Sequence, residues 1–465
     1  MHGADRRPVP VDRGGLSLST PRRHLGAGAA LSVIVQGGPL LAAGVLSVVL
    51  ARTIGPSGNG RFALLATLAG LTAMVASLGL SAGLSYAVSR RRWSVRRSFR
   101  TSYGLSFVLG ALGVLGGLAV FAVVRGSVFG GIETWLAVLA LASIPPVLAY
   151  QYADAILLAR ERYEGFAALE ISHSSTLLAI GAGLAIPFGL TGAVVGLPAA
   201  AVAGALAGVV LLARELPHDA FVEAEESLRS VLRFSLQSWG GNLLQQINYR
   251  FDVLILGGFA SAAAVGVYSI ALTLTSIAWV LPQALQTVLF PRTASLAASA
   301  EAREVTLEEA DEALARATRH GVLLTVPTAA LVVVLLLVGV PLLYGSRFHE
   351  TIVLGFIMLP GVLLLGIAKI LSAAIAGRGE PRYTLYATLI STPVTVGLYF
   401  ALIPLAGARG AAVASAISYG LTSLVTYVYF RRVADLGIRR AFVPGREDLA
   451  DYRLAATLAR QKLGR

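Results

Sequence analysis

The run GVLLTVPTAALVVVLLLVGVPLLY, residues 321–344, contains no charged side chain. A helix of this length rises about 36 Å at ~1.5 Å per residue, which is enough to cross a hydrocarbon core of roughly 30 Å. Similar runs recur along the chain, of which 56% is hydrophobic and only 14% charged. Only helices or closed barrels satisfy their backbone in lipid, and these runs are too long and continuous for barrel strands. The sequence therefore predicts an all-α, polytopic protein of the cell membrane.

Twelve runs of this kind are predicted to be membrane spans. Their approximate bounds are 25–50, 61–88, 102–124, 134–158, 167–187, 191–213, 232–257, 264–290, 320–344, 351–376, 383–404 and 409–430. The polar tail at 1–24 precedes a run that is too long for the hydrophobic region of a cleaved signal peptide. We therefore expect this run to remain attached as the first span.

Arginines are concentrated in alternate loops between the predicted spans. The largest cluster is SRRRWSVRRSFR at 89–100. The other set of loops holds Arg52, Arg61, Arg125, Arg347 and Arg409. Because cytoplasmic loops carry the excess of basic residues, both termini are predicted to be cytoplasmic. The net charge of +13 then indicates topology and contact with anionic membrane lipids rather than a nucleic-acid partner.

Two parts of the chain resemble each other. ILLARERYEGFAALEIS (156–172) and AIPFGLTGAVVG (185–196) align with AIAGRGEPRYTLYATLIS (374–391) and LIPLAGARGAAVA (402–414). In each copy a span ends at a polar hairpin with arginines, and the next span closes with Ile-Pro before a glycine-containing turn. Shared composition alone is the simpler explanation, but the ordered features favour duplication. We predict two pseudo-symmetric six-helix lobes with the substrate between them, an arrangement found among secondary transporters.

The predicted domains follow from these boundaries. They are a basic cytoplasmic tail (1–24), an N-terminal lobe (25–213), a linker (214–231), a C-terminal lobe (232–430) and a second basic cytoplasmic tail (431–465). The linker contains the acidic run VEAEES. Segment 301–319 is charged, helix-forming and weakly amphipathic, so it is expected to lie along the membrane interface.

The seventh predicted span contains NYRFDVLILGG, residues 248–258, with Arg250 and Asp252 in an apolar run. Side chains two positions apart on a helix point about 200° apart and do not meet. A lone charge at the bilayer centre costs about 2.5–3.5 kcal/mol, so each charge needs its own partner or water. The span's polar arc consists of Asn242, Gln245, Gln246, Asn248, Tyr249, Arg250 and Asp252. We predict that this arc faces a hydrated cavity.

The eighth predicted span also has a polar face, with Tyr268, Thr275, Ser276, Trp279, Gln283 and Gln286. Aromatic rings beside amides can stack on and hydrogen-bond sugars, although ordinary helix packing with polar contacts is an alternative. Lys369 in the tenth span either lines the cavity or extends to the interface. Asp154, Arg160 and Glu170 are interpreted as interfacial, and a proton-coupling role for His173 is the alternative to a structural one.

No catalytic set emerges from the sequence. There is no phosphate-binding loop and no His/acid cluster with metal spacing, so neither ATP hydrolysis, a metal nor a cofactor is predicted. The absence of cysteine excludes disulfides and thiolate ligands. A membrane glycosyltransferase or ligase is the main enzymatic alternative. The predicted external loops are short and hold few acids, such as Glu133 and Glu350, so we predict that the chain is not an enzyme.

VLARTIGPSGNGRFALL (49–65) resembles the first hairpin of the polysaccharide-biosynthesis flippases, the Wzx-type branch of the multidrug/oligosaccharidyl-lipid/polysaccharide (MOP) exporter superfamily. The resemblance continues over 231–294 through Arg-x-Asp at 250–252, Gly-x-Tyr-x-x-Ala at 266–271 and Phe-Pro-Arg at 290–292. It includes GRGEPRYTLY (377–386) and LIPLAGARGAAVASAISYG (402–420) as well. The likeness covers most of the chain apart from its tails.

This resemblance implies alternating access between two lobes. A polyprenyl-diphosphate-linked oligosaccharide would move from the cytoplasmic to the external leaflet, with the sugar and diphosphate in a cationic lumen and the lipid tail in the bilayer. The implied partners are this lipid-linked glycan, membrane lipids, a coupling ion (H⁺ or Na⁺), and a glycan polymerase or glycosyltransferases. The lumen candidates are Arg250, Asp252, Asn242, Gln245, Gln246, Arg52, Trp279, Gln283 and Lys369.

Two points qualify what the resemblance implies. The first lobe offers few cationic candidates beyond Arg52, which argues against a peptidoglycan precursor as the substrate. The alternative function is a cation-coupled multidrug or small-molecule antiporter of the same superfamily. Such an antiporter would need a cation-binding carboxylate, and Asp252 is the best candidate for it.

Overall fold

The computed structural model describes residues 22–216, 226–286, 289, 293, 306–434, 437–445 and 448. These residues are helical almost throughout and form no strand. The helices are α1 (Arg22–Ala76), α2 (Leu80–Ser89), α3 (Val95–Val124), α4 (Thr134–Leu141), α5 (Ile144–Ala159), α6 (Tyr163–Thr176), α7 (Gly183–Glu215), α8 (Leu228–Phe259), α9 (Ala262–Ser276), α10 (Leu307–Val334), α11 (Glu350–Gly377), α12 (Arg382–Val433) and α13 (Ile438–Phe442). Two π-helical segments are also present, Leu177–Ala182 and Leu335–Tyr344.

Serine residues define the starts of three helices. The hydroxyl of Ser94 accepts a hydrogen bond from the backbone N–H of Arg97 at the start of α3, over 3.1 Å. Ser227 caps α8 and Ser261 caps α9 in the same way. These hydroxyls satisfy backbone donors that have no partner within the first helical turn.

The long helices α7 and α12 each fold back on themselves at a glycine. Gly189 has φ 57° and ψ −130°, and Gly407 has φ 54° and ψ −129°. Residues that carry a Cβ rarely adopt such backbone conformations. Beyond the turn in α12, Tyr399 and Ser415 are joined by a hydrogen bond of 3.3 Å. These residues would be about 24 Å apart on a straight helix. Each long helix is therefore a hairpin with two antiparallel arms.

Eight helical runs in the described residues are long and apolar enough to cross a membrane. They are Gly37–Ala76, Val95–Val124, Thr134–Ala159, Tyr163–Glu215, Ala262–Gln286, Leu314–Tyr344, Ser346–Gly377 and Arg382–Val433. The prediction of an all-α, multi-pass membrane protein is confirmed. The number of twelve spans remains a prediction, because several of these runs contain a turn within one continuous helical assignment.

The structure corrects one predicted span, places a turn within another and extends a third. The predicted span 61–88 is broken between α1 and α2, where Leu78 and Gly79 have positive φ. The predicted span 134–158 corresponds to the single apolar run Thr134–Ala159, within which a short turn separates α4 from α5 just before Pro145 and Pro146. The charged segment predicted at the interface runs directly into the ninth predicted span as α10, although 301–305 lie outside the described residues.

The backbones of the first and second halves of the chain approach each other closely at glycines in two helix–helix contacts. In the α1–α9 contact, a Cβ on Gly60 would lie 1.8 Å from the carbonyl oxygen of Ala262, and Asn59 donates to the Gly266 carbonyl over 3.1 Å. In the α2–α8 contact, a Cβ on Gly83 would lie 2.1 Å from the Ser235 hydroxyl. Glycine therefore allows the backbones to approach closely at both places.

Candidate functional site

A cavity of about 740 Å³ lies between these two contacts. Its volume is within the range of small-molecule sites, roughly 300–1,000 Å³. One wall comes from α1, α2, α5 and α7, and the other from α8 and α9. Residues at the edges of both contacts, such as Asn59, Ser269 and Gly79, border the cavity. The cavity therefore occupies the boundary between the two halves of the chain.

Of the described side chains that line the cavity, that of Arg250 is charged and none is a carboxylate. Its side chain is exposed, and no hydrogen bond or salt bridge to it is found in the described part of the chain. A cation at the surface of a cavity inside a low-dielectric protein has a strong local field. The cavity is therefore electrostatically suited to an anion.

The remaining polar wall, on α8, on α9 and on the 3₁₀ turn Ile277–Trp279 that follows α9, consists of amides, hydroxyls and aromatic rings. Its residues are Trp239, Asn242, Gln246, Tyr249, Ser269, Thr273, Ser276 and Trp279. On α8 they recur every three or four positions, which places them on one face of the helix. The structure thus brings together four of the residues proposed from the sequence: Asn242, Gln246, Arg250 and Trp279.

Asp252 lies outside this wall. It is fully buried and accepts hydrogen bonds from the Tyr268 hydroxyl, from the Ser415 hydroxyl at 3.3 Å and from its neighbour's N–H, that of Val253, at 2.8 Å. The predicted arc was too broad, because a residue two positions after Arg250 points to a different neighbour. Arg250 and Asp252 contact different neighbours but still interact electrostatically, and the neighbours of Asp252 are protein hydroxyls and not a cavity wall.

The structure also places Gln245, Gln283 and Arg52 away from the cavity wall. Gln245 of α8 and Gln283, which follows α9 in the chain, are both exposed. Arg52 donates to the carbonyl oxygens of Leu343 and Leu342 over 2.7 and 2.6 Å, at the end of the second π-helical segment. Carbonyls at a helix C-terminus lack backbone partners and attract cations. In this conformation Arg52 therefore joins the two halves structurally.

Lys369 of α11 lies behind the cavity wall. Its Nζ is 5.2 Å from the ring centroid of Tyr249 and 5.3 Å from that of Trp279, both of which line the cavity. These distances allow cation–π attraction. Trp279 is fixed in turn by the hydrogen bond from its indole N–H to the Val362 carbonyl, at 2.9 Å. Lys369 therefore neither lines the cavity nor extends to the interface.

Several functional candidates were missed from the sequence. Asn59, Gln151 and Trp239 line the cavity. Asn59 lies between the first two predicted spans, and Trp239 lies one helical turn before the predicted polar arc of the seventh span. Tyr150 was also missed, although it brings Glu170 and His173 together by donating to the first and stacking on the second. The four-residue spacing of Tyr150 and Asp154, which places both side chains on one face of a helix, could have indicated this cluster. Among the described residues, no group of three or more metal-ligating side chains is found.

A separate ionic network joins the start of α10 to the region after α12. Arg319 donates to Asp448 over 2.7 Å and to Glu312 over 2.9 Å. Burial opposes ionisation of Asp448, but hydrogen bonds from Arg319 and the Gly445 N–H outweigh it, so the pKa of Asp448 lies below its ordinary value. The hydrogen bond from Arg319 likewise lowers the pKa of Glu312. This network lies away from the cavity.

The fold is similar to that of solved transporters. An inward-facing multidrug resistance MATE family transporter of the MOP superfamily has a TM-score of 0.64 and 17% identity, covering 86% of this chain and 98% of its own. The lipid II flippase MurJ, in an inward closed conformation, has a TM-score of 0.67 and 13% identity, covering 89% of this chain and 90% of its own. At such low identities the likeness establishes the fold.

Among curated proteins, the probable low-salt glycan biosynthesis flippase Agl15 of Haloferax volcanii is 24% identical over 200 residues. The match covers 43% of this chain and 41% of that relative, so the chain matches about two fifths of the relative's length. A family model described as polysaccharide biosynthesis protein matches residues 25–297, which is more than half of the chain and includes every residue that lines the cavity. The resemblance found in the sequence is confirmed, and this chain belongs to the polysaccharide biosynthesis protein family.

Proposed function

We propose that this protein is a flippase that translocates a polyprenyl-diphosphate-linked oligosaccharide across the cytoplasmic membrane for cell-surface polysaccharide assembly. The observation that carries this proposal is the cavity between the two halves, whose described lining has Arg250 and no carboxylate. A diphosphate brings negative charge, and a guanidinium can bind phosphate oxygens through two parallel hydrogen bonds. The charge of the cavity therefore matches the charged part of the substrate.

The amides and rings around Arg250 suit the sugar part. Asn242 and Gln246 offer both donors and acceptors to sugar hydroxyls. Trp239, Tyr249 and Trp279 present flat apolar faces with polar edges. Lys369, behind two of these rings, adds positive charge to the same wall. The lipid tail would remain in the bilayer while the headgroup occupies this polar wall.

The proposed architecture has twelve spans in two six-helix lobes, 25–213 and 232–430, with both termini in the cytoplasm. The hairpins at Gly189 and Gly407 support it, because each lies between the fifth and sixth spans of its proposed lobe. With this orientation the α2–α8 contact faces the cytoplasm and the α1–α9 contact faces outward. Alternating access then requires the two contacts to open in turn. A glycan polymerase or glycosyltransferases would supply or consume the substrate.

A cation-coupled multidrug antiporter is the second candidate, because MATE transporters share the fold. Such an antiporter would use Asp252 to bind the coupling ion or the drug. Against it, Asp252 is fully buried among Tyr268 and Ser415, away from the cavity wall. Among the described lining residues the charged side chain is that of an arginine, which would repel a cationic drug. The flippase is therefore the better-supported function.

The test is flipping by the full chain in proteoliposomes. A polyprenyl-diphosphate-linked oligosaccharide with a fluorescent glycan is placed in one leaflet, and its arrival in the other is followed by quenching. We expect Arg250→Gln to slow flipping at least tenfold. Arg233→Gln is the matched control, because this exposed arginine lies on the same helix outside the cavity. Unchanged flipping in Arg250→Gln would remove Arg250 from the site. Efflux of cationic dyes without any lipid flipping would instead support the antiporter.

A further inference from the structure

A second cluster of titratable side chains lies where α5, α6 and α7 pack together. The hydroxyl of Tyr150 donates a hydrogen bond to the carboxylate of Glu170. The Tyr150 ring stacks on the His173 imidazole with centroids 4.8 Å apart. Gly204 of α7 packs against both residues, since a Cβ there would lie 2.9 Å from the Tyr150 ring and 3.5 Å from the His173 Cβ. The cluster is thus a packed arrangement and not a set of side chains at the water interface.

Asp154 brings a second carboxylate to this cluster. It lies one helical turn after Tyr150 and interacts electrostatically with Glu170. Its Oδ1 atom is buried without a hydrogen-bond partner. Among the described residues, neither carboxylate has a salt bridge. Two ionised carboxylates near each other and without a cation are unstable in a low-dielectric region, and a shared proton relieves the repulsion.

A small pocket of about 270 Å³ reaches this cluster from the side of α1. Glu170 lines it together with Ser174 and with Pro39 and Ala42 of α1. Ser174 is only 7% exposed, and its hydroxyl has no hydrogen-bond partner. The Ser174 hydroxyl therefore leaves one unsatisfied hydrogen-bonding group beside the carboxylate, in a pocket whose other walls are mostly apolar.

Two helices connect the cluster to the central cavity. Gln151, three positions before Asp154 on α5, lines the cavity. Beyond Glu170 and His173, α6 continues into the π-helical segment Leu177–Ala182, where Leu177 lines the cavity and Leu178 lines the small pocket. Such π-helical turns are often found at functional sites, where they interrupt the regular hydrogen-bond pattern. A change of charge in the cluster can therefore act on the cavity wall.

We propose that Asp154 and Glu170 together form a proton-binding site that couples a proton gradient to substrate movement. Tyr150 positions Glu170, and His173 supports the Tyr150 ring. The pair takes up one proton from the external side and releases it to the cytoplasm as the substrate moves outward. Sodium fits less well, because it needs several converging oxygen ligands and Glu170 already accepts an O–H donor. This inference rests on the proposed function and identifies its coupling ion and the residues that bind it.

The surrounding helices carry few other titratable groups near the pair. Tyr103 of α3 packs against Gly208 and donates to the Ala205 carbonyl over 2.9 Å. Arg162 and Glu215 pair with each other over 2.9 Å. The pocket residues of α1 are not titratable. Other charged groups on these elements are Arg160, Glu161 and Glu164 beside α5 and α6, Arg214 on α7, Arg90, Arg91 and Arg92 at the end of α2, Arg96, Arg97, Arg100 and Arg125 at the two ends of α3, and Arg52 and Arg61 on α1.

Proton binding itself is tested without substrate. Infrared difference spectra of the purified full chain, recorded as pH is varied, detect the C=O stretch of a protonated carboxylic acid. We expect a band that is lost in Glu170→Gln and in Asp154→Asn and retained in the control Glu164→Gln, an exposed residue at the start of α6. His173→Phe keeps an aromatic ring and should retain the band. A band that persists in both Glu170→Gln and Asp154→Asn would overturn the proposal.

Coupling is tested in the same proteoliposomes as flipping, as the ratio of rates with and without an inward-directed proton gradient. We expect a ratio of at least tenfold for the unmodified chain and for Glu164→Gln, and a ratio near one for Glu170→Gln. A Glu170→Gln ratio equal to that of the unmodified chain would contradict the inference, as would acceleration by a sodium gradient and not by a proton gradient. No flipping by the unmodified chain under any gradient would instead refute the proposed function, while the infrared result stands on its own.

Discussion

Trp239 of α8 donates its indole N–H to the carbonyl oxygen of Met74 in α1, over 3.1 Å. The two residues are far apart in sequence, and both line the central cavity. Close by, Tyr86 of α2 and Phe234 of α8 stack with centroids 4.4 Å apart. The hydrogen bond and the stacked rings thus close one end of the cavity by joining the two halves of the chain.

Removing this hydrogen bond should favour opening of the α2–α8 contact. Trp239→Phe keeps an aromatic ring but loses a donor that contributes about 0.5–1.5 kcal/mol, equivalent to roughly a 2- to 12-fold shift toward the open form. The chain has no cysteine, so a single cysteine at Asn242 reports access to the cavity. We expect an impermeant thiol reagent to label it faster from the proposed cytoplasmic side by about that factor. Trp135→Phe, on an exposed side chain, should leave the rate unchanged.

The α1–α9 contact should respond to a larger side chain at Gly60. A Cβ there would lie 1.8 Å from the Ala262 carbonyl oxygen, so Gly60→Leu must separate the two helices. We expect labelling of the same cysteine at Asn242 to rise severalfold from the external side. In the control Gly104→Leu, the added Cβ meets nothing within 4 Å, and labelling should not change. Equal rates in the two variants would show that this contact is not an external gate.

Aqueous access along α8 should follow one face of the helix. Single cysteines at Asn242, Gln246 and Arg250, which line the cavity, should react with a water-soluble thiol reagent. A cysteine at Leu244 should react at least tenfold more slowly, because it points about 200° away from Asn242 and lies outside the cavity lining. Failure of the first three positions to react from either side of the membrane would mean that the cavity is dry, and the transporter assignment would fall.

Acid should weaken the ionic network around Arg319. The pKa values of Asp448 and Glu312 are both lowered in the folded protein, so their stabilising contribution is present above the ordinary values of 3.8 and 4.5. It is lost as pH falls through the lowered values, that is, below about 4. We expect hydrogen exchange of α13 to accelerate in this range, since Arg319 also donates to the Arg440 carbonyl over 2.9 Å.

A substitution separates this effect from general acid denaturation. In Arg319→Gln the exchange of α13 should already be fast at neutral pH and should depend less on acid. The loss should be large, because removing one partner of a buried pair costs about 3–5 kcal/mol. Arg439→Gln, at an exposed position on α13, is the matched control. Slow exchange in Arg319→Gln at neutral pH would mean that the network does not hold α13.

The division of polar residues on α8 shows how far sequence reasoning reached. The period of the helix places Asn242, Gln246 and Arg250 on one face, and the structure finds all three in the cavity wall. The same reasoning placed Asp252 and Gln245 with them, but the first is buried against Tyr268 and the second lies outside the wall. Each residue turns a helix by about 100°, so an arc drawn broadly enough to include seven residues extends beyond one interface.

Arg52 and Glu170 illustrate what no local pattern can supply. The family resemblance predicts Arg52 to be a cation in the lumen, yet its guanidinium donates hydrogen bonds to the carbonyl oxygens of Leu342 and Leu343. Glu170 has the position of an interfacial acid, yet it accepts a hydrogen bond from Tyr150 on another helix. The hydrogen-bond partners of Arg52 are remote in sequence, and the partner of Glu170 belongs to another helix. The sequence does not specify how these helices pack, so it could not predict either contact.

The sequence by itself determined that this protein is an all-α membrane protein with charges concentrated outside its spans. It could do so because a long charge-free run in lipid has no other way to satisfy its backbone. Only the tertiary structure decided which polar side chains meet. It separated Arg250, facing a cavity between the two halves, from Asp252, held by hydroxyls within one of them, because helix rotation and packing distribute neighbouring residues to different surroundings.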